Sequence, residues 1–127
     1  MDYYEFFQRT KSALPEGTLL PNPGGGTSRV LGYTHEKMIY KRGDSQIYVS
    51  MRDLYSAYQT FAGRKVTSTD LRQHAPRVFD SKQSGHSCNC TMFFMLLKAI
   101  GLATRIEGAG KSNSPFRVLI AESPQSL

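Results

Sequence analysis

With 127 residues, 39% hydrophobic and 20% charged, the chain has the make-up of one globular domain and not of a disordered or fibrous segment. Its longest apolar run, residues 92–97, falls far short of the roughly 18 residues that span a bilayer, and residues 1–5 lack the basic and apolar regions of a secretory signal. The net charge of +6 is concentrated: residues 62–121 hold nine Lys and Arg against three acids, whereas residues 1–61 hold seven against six. Such a half favours an anionic partner, because a dense phosphate backbone rewards clustered Lys and Arg.

Asp2 is placed to cap a short helix whose apolar positions are Tyr3, Phe6, Phe7 and Leu14, and Pro15-Glu16-Gly17 stops it. The Pro- and Gly-rich stretch from Pro21 to Thr27 predicts a loop, so residues 1–27 read as a helix and connector of uncertain attachment. Period-two alternation then predicts three short strands over 29–33, 37–41 and 46–49. Thr34-His35-Glu36 and Arg42-Gly43-Asp44-Ser45 supply the turns of an antiparallel meander spanning 28–49.

Ser50-Met51-Arg52-Asp53 has capping-box spacing, and behind it Met51, Leu54, Tyr55, Tyr58 and Phe61 predict a helix over 51–62 ended by Gly63. Thr67 or Ser68 starts a second helix, 68–75, with Asp70 in its first turn and Pro76 closing or kinking it. Val78 and Phe79 are expected to return to the core. After a polar loop over 80–85, Ser87 or Asn89 caps a third helix ended by Gly101. Its core face is read as Cys90, Phe93, Phe94, Leu97 and Ile100, leaving Thr91, Met92, Met95 and Lys98 opposite. Residues 102–106 and 116–121 are expected to pair as a hairpin around the tip 107–114, with 122–127 a frayed tail. The chain is thus read as a single α+β domain, with its core over 50–121.

Cys88 and Cys90 are too close to form a useful disulfide, so both are read as thiols and the compartment as cytoplasmic. With His74 and His86 they invite a zinc reading, but C-x-C is tighter than ordinary structural spacing and no second cysteine pair exists. No metal and no cofactor is therefore expected. Cys88 with a nearby His also lacks the surroundings of a nucleophile, and no carboxylate cluster with a lysine points to phosphodiester cleavage, so no catalytic residue is assigned. Gly108-Ala109-Gly110-Lys111-Ser112 looks like the end of a phosphate-binding P-loop. Arg105 stands where the first glycine belongs, however, and Asn113-Ser114-Pro115 cannot open the required helix.

Helix, helix, helix and closing hairpin follow one another in the order of the winged helix-turn-helix superfamily, which the chain resembles at fold level over roughly residues 46–121. The resemblance implies a non-enzymatic module for double-stranded DNA, from a prokaryotic or phage setting, acting as a regulator or a modified-base reader. Helix 89–100 would enter the major groove. His86, Ser87, Asn89 and Thr91 would reach base edges or phosphates at its start, with Met92, Met95 and Lys98 along its exposed side. Arg64, Lys65, Arg72, Arg77 and Lys82 would hold phosphates, and Lys111, Ser112 and Asn113 would form the tip of the wing. Two alternatives stand beside it. One is a protein-interaction module, or a homodimer, using the Met92/Met95 face or the strand edge near 37–41. The other is single-stranded RNA binding through Tyr33, Tyr40, Tyr48, Tyr55 and Tyr58. A membrane partner is not expected. The basic residues read most plainly, without any ligand, as a solvated face.

Overall fold

In the computed structural model, which describes residues 1–124, the chain forms a mixed α+β fold. Helix α1 (Tyr3–Ala13) starts at Asp2, whose carboxylate accepts the Glu5 amide, and buries Phe6 and Thr10. Strands β1 (Leu19–Pro21), β2 (Thr27–Thr34), β3 (Lys37–Arg42) and β4 (Ser45–Ser50) make an antiparallel sheet in that order. Helix α2 (Met51–Phe61) leaves β4 directly, with the Ser50 hydroxyl accepting the Asp53 amide. A short strand β5 (Lys65–Thr67) leads into α3 (Ser68–His74), followed by α4 (Pro76–Phe79), a 3-10 turn at Ser81–Gln83, α5 (Cys88–Ala99) and β6 (Arg117–Leu119). β5 and β6 pair antiparallel as a second, two-stranded sheet.

The meander is close to its expected bounds, and the sequence explains its details. Val30, Met38, Tyr40, Ile47 and Val49 alternate toward the core. The register shifts between Val30 and Gly32, a bulge made possible by Gly32 at φ +147°. The β2–β3 turn puts His35 and Glu36 in the left-handed region, an unfavourable place for either residue. Glu36 is anchored there on three sides: its carbonyl accepts the Met51 amide, and its carboxylate receives the Tyr3 hydroxyl and pairs with Arg52.

Three expectations need correction, and a fourth is extended. The segment 1–27 is no loose attachment: Phe6 and Leu14 are fully buried, α1 packs against α2 and α5, and residues 19–21 form the first strand of the sheet. Pro21 sits at the edge of that sheet, where a missing amide leaves no ladder bond unmade. Pro76 closes α3 as expected, with Ala75 as the cap, and it also opens α4, since proline at a first helical position gives up an amide that had no partner anyway. Residues 102–106 form no strand: the hairpin is held only by single bridges, Glu107 to Arg117 and Lys111 to Ser114, and β6 pairs instead with β5. At the C-terminal end the Glu122 carbonyl accepts the Tyr58 hydroxyl, so Glu122 is tied down; 125–127, the rest of the expected frayed tail, lie outside the described residues.

The largest departure concerns α5. Asn89, Thr91, Met92 and Met95, expected on an open face, are 3%, 7%, 1% and 6% exposed. One side of α5 meets α3 and α4, and the N-terminal half of the chain covers the other. Tyr40 of β3 donates its hydroxyl to Asn89 Oδ1 (2.6 Å), and Arg42 donates to Thr91 Oγ1 (3.1 Å). The meander thus lies over the surface that a groove-reading helix would need. Neither base reading nor a protein contact through Met92 and Met95 is available to α5 in this fold. Among the described residues no helix is long and apolar enough to cross a membrane.

Candidate functional site

The buried helix makes its N-terminus the informative end. Asn89 pins it: Nδ2 donates to the Val78 carbonyl (2.9 Å) while Oδ1 receives the Tyr40 hydroxyl. Gly85 brings the preceding loop so close to α4 that a Cβ there would stand 2.7 Å from the Pro76 carbonyl oxygen. The Ser87 hydroxyl is turned away from the helix, accepting the Ser81 amide and donating to Ser81 Oγ, and α5 has no side-chain cap. The amides of Ser87 and Cys88 are left without a partner among the described residues, and they carry the positive end of the helix dipole.

These amides border a cleft of about 360 Å³ between the end of β3, the start of α3, the start of α5 and the 107–117 hairpin. Arg42, Arg72 and Lys111 line it, and no carboxylate does. Arg72 donates to Thr69 Oγ1, and Arg42 is held by Thr91. Among the described residues none of the three has an ion-pair partner; the pairs are Arg9 with Glu5, Arg52 with Glu36 and Arg105 with Glu107. The nearby acids are already engaged. Asp70 completes the capping box with Thr67, and the Asp80 carboxylate receives the Lys82 amide. Three cations and a helix N-terminus facing shared space suit an oxyanion, above all a phosphate.

The cleft gathers some of the expected site residues and scatters others. Arg72, Ser87, Lys111 and Ser112 line it together with the buried Thr91. Arg77, Lys82 and His86 are exposed on α4 and the following loop, and Asn113 at the hairpin tip, outside the lining. Arg64 lies elsewhere, donating to the Thr60 carbonyl and lying over the Phe61 ring, and Lys65 starts β5. Lys98 is exposed in the last turn of α5. Arg42, Ser68 and Phe116 join the cleft without having been singled out, and Cys88, weighed only as a thiol, joins it too. For Arg42 a signal existed in its place at the end of a strand before a Gly-Asp turn, but the balanced charge of residues 1–61 hid it.

The thiols do not form a metal centre; among the described residues no group of three or more His, Cys, Asp or Glu converges on one point. Cys90 is buried, and burial pushes its thiol up to about 12 against the opposing pull of the Arg72 guanidinium. Tyr40 is raised above the ordinary phenol range by burial and by its contact with Cys88. Of the tyrosines proposed to stack on bases, Tyr40 is in the core, and Tyr33, Tyr55 and Tyr58 belong to an aromatic cluster with α1; Tyr48 alone of the meander has a ring as much as 50% exposed.

These neutral buried groups predict an alkaline limit to stability. The unfolded thiol ionises near pH ~8.5 and the unfolded phenol near ~10, both below their folded values, so stability is complete below those points and declines as pH rises. Between pH ~10 and ~11, Cys90 and Tyr40 together should remove about 2 kcal/mol. Urea midpoints measured from pH 8 to 11 should hold level at first and then fall. A midpoint unchanged up to pH 11 would contradict the burial of these two groups.

No protein-family model matches the chain, and the comparisons with curated proteins and with solved structures gave no match either.

Proposed function

We propose that the chain is a non-enzymatic DNA-binding module that seats a backbone phosphate in the cleft and lays its basic rim along neighbouring phosphates of a duplex. The observation that carries this reading is the convergence of Arg42, Arg72 and Lys111, unpaired and with no carboxylate, on the open N-terminus of α5. Two unpaired arginines held in half-buried positions are hard to account for as solvation alone, since each keeps a charge partly out of water. Arg77, Lys82 and His86 extend the positive surface on one side, and the tip from Lys111 to Asn113 extends it on the other.

A winged-helix ancestry remains part of the proposal. Its support is the order α2, β5, α3, α5 and β6, with β5 paired to β6. The mode of binding is different from groove insertion, because α5 is covered. Phosphate contacts of this kind fix position and strength but carry little sequence information. Selectivity has to come from DNA form.

Binding of the purified chain to a labelled duplex, followed by anisotropy from ~50 to ~200 mM salt, tests the reading. Affinity should fall steeply and linearly on logarithmic axes. Failure to bind duplex at the lowest salt would overturn it.

A further inference from the structure

We infer that the cleft takes one whole unstacked nucleotide, base and phosphate together, so that DNA carrying an unpaired nucleotide is the preferred ligand. The inference rests on the DNA reading above and specifies what enters the site. Size is the first argument. A volume of about 360 Å³ is at the lower end of small-molecule sites, and it equals the share of roughly twelve liquid waters. That is more than one phosphate group needs and far less than a base pair within a duplex would require.

The lining is the second argument. The cations account for one part of the cleft, but Phe116 and Pro115 line it as well, with Cys88 and Cys90 nearby. A phosphate gains nothing from an aromatic wall, whereas a nucleobase does, because its faces are flat, polarisable and poorly hydrated. Phe116 is fixed in place: a Cβ on Gly110 would stand 2.5 Å from its ring, and one on Gly24 3.6 Å, so the glycine-rich hairpin tip and the 22–26 loop close around the ring edge. The hydroxyls of Ser68 and Ser112 supply hydrogen-bonding groups for a base edge. Anion-binding groups and an aromatic wall within one small cleft match a nucleotide and match neither half of it alone.

A base inside an intact duplex cannot reach such a wall without leaving its stack, and that step is least unfavourable where the base has no partner. The test uses two labelled duplexes of the same sequence, one fully paired and one with a single central bulged nucleotide, bound to the full chain at fixed salt. The bulged duplex should bind about 10-fold or more tightly. A deoxynucleoside 5′-monophosphate should also displace it at concentrations at least about 10-fold below those of inorganic phosphate. Equal affinity for the two duplexes, or equal displacement by nucleotide and phosphate, overturns the inference and leaves the DNA reading standing. No binding of either duplex overturns both. The Phe116→Leu variant should lose the preference for the bulge while keeping its salt-dependent binding to paired DNA; retention of the full preference would count against the inference.

Discussion

Asn89→Ala should destabilise the protein by about 2 kcal/mol, since it removes two buried hydrogen bonds worth ~0.5–1.5 kcal/mol each. Two groups would each lose one bond and keep a second, the Tyr40 hydroxyl to Cys88 Sγ (3.3 Å) and the Val78 carbonyl from the His86 amide (3.1 Å). The Tyr40 hydroxyl, 2.6 Å from Asn89 Oδ1, sits in the core, and the Val78 carbonyl, 2.9 Å from Nδ2, is held against α5. For a domain whose total stability is of the order of 5–15 kcal/mol, that is a large fraction. Urea unfolding of the variant should show a lower midpoint with little change in slope. Lys98→Ala, at an exposed position of the same helix, should remain within ~0.5 kcal/mol of the parent. A base-reading role would instead leave stability untouched, so a stable Asn89→Ala protein would contradict the bridging position described for this side chain. The Tyr40→Phe change and the double variant complete a cycle, in which the pair should show a coupling of ~0.5–3 kcal/mol.

Why Asn89 and its neighbours were misplaced by the sequence is itself physical. Periodicity assigned a core face to Cys90, Phe93, Phe94, Leu97 and Ile100, and all five are buried. The error lay in treating the remainder as solvent-facing. Over Cys88–Ala99 the only charged residue is Lys98, and a helix apolar on nearly every side is one that other elements enclose. That signal was present at Met92 and Met95. The enclosing elements could not be read, because they are α1, β1 and the meander, residues 3–50, far away along the chain, and period-two alternation states which side of a strand is buried but not against what.

Local signals fared better where the chemistry is local. The Asp2 and Ser50 caps, the complete Thr67–Asp70 capping box and the Gly43 turn all fall where the residue types demand them. The hairpin of residues 102–121 was overstated for the opposite reason. Its apolar alternation over 116–121 is genuine, with Val118 and Ile120 buried, but the strand finds its partner at Lys65–Thr67, some fifty residues earlier. The cleft combines these two kinds of failure. Arg72, Lys111 and Ser112 were legible as part of a basic half, whereas Arg42 and Phe116 enter only once the meander closes over α5. Covering the helix and building the cleft are one event: Arg42 reaches Thr91 because β3 lies on α5, and Thr91 in turn donates to the Cys88 carbonyl in the first turn. The element that removes α5 from a DNA groove also supplies a cation to its N-terminus.

Neutralising that cluster should have the largest effect on binding. In the triple variant Arg42→Gln, Arg72→Gln and Lys111→Gln, the slope of log affinity against log salt should fall by about 0.9, since the three side chains converge on one phosphate and each neutralised phosphate contributes ~0.9. Affinity at ~100 mM salt should fall by at least about 1,000-fold, since three charge-assisted hydrogen bonds to phosphate at ~1.5–3 kcal/mol each are lost. The fold should tolerate the changes: Lys111 is exposed, Arg42 makes a single side-chain bond to Thr91, and Arg72 bonds Thr69 and lies beside the Cys90 thiol. Lys98→Gln supplies the contrast. Lys98 lies roughly 15 Å along the helix axis from Cys88 at 1.5 Å per residue, beyond the Debye length of ~10 Å at 0.1 M salt. Its loss should leave both slope and affinity nearly unchanged. If the triple variant bound duplex as the parent does while Lys98→Gln weakened it, the phosphate would have to sit at the other end of α5, and the cleft would lose its part in binding.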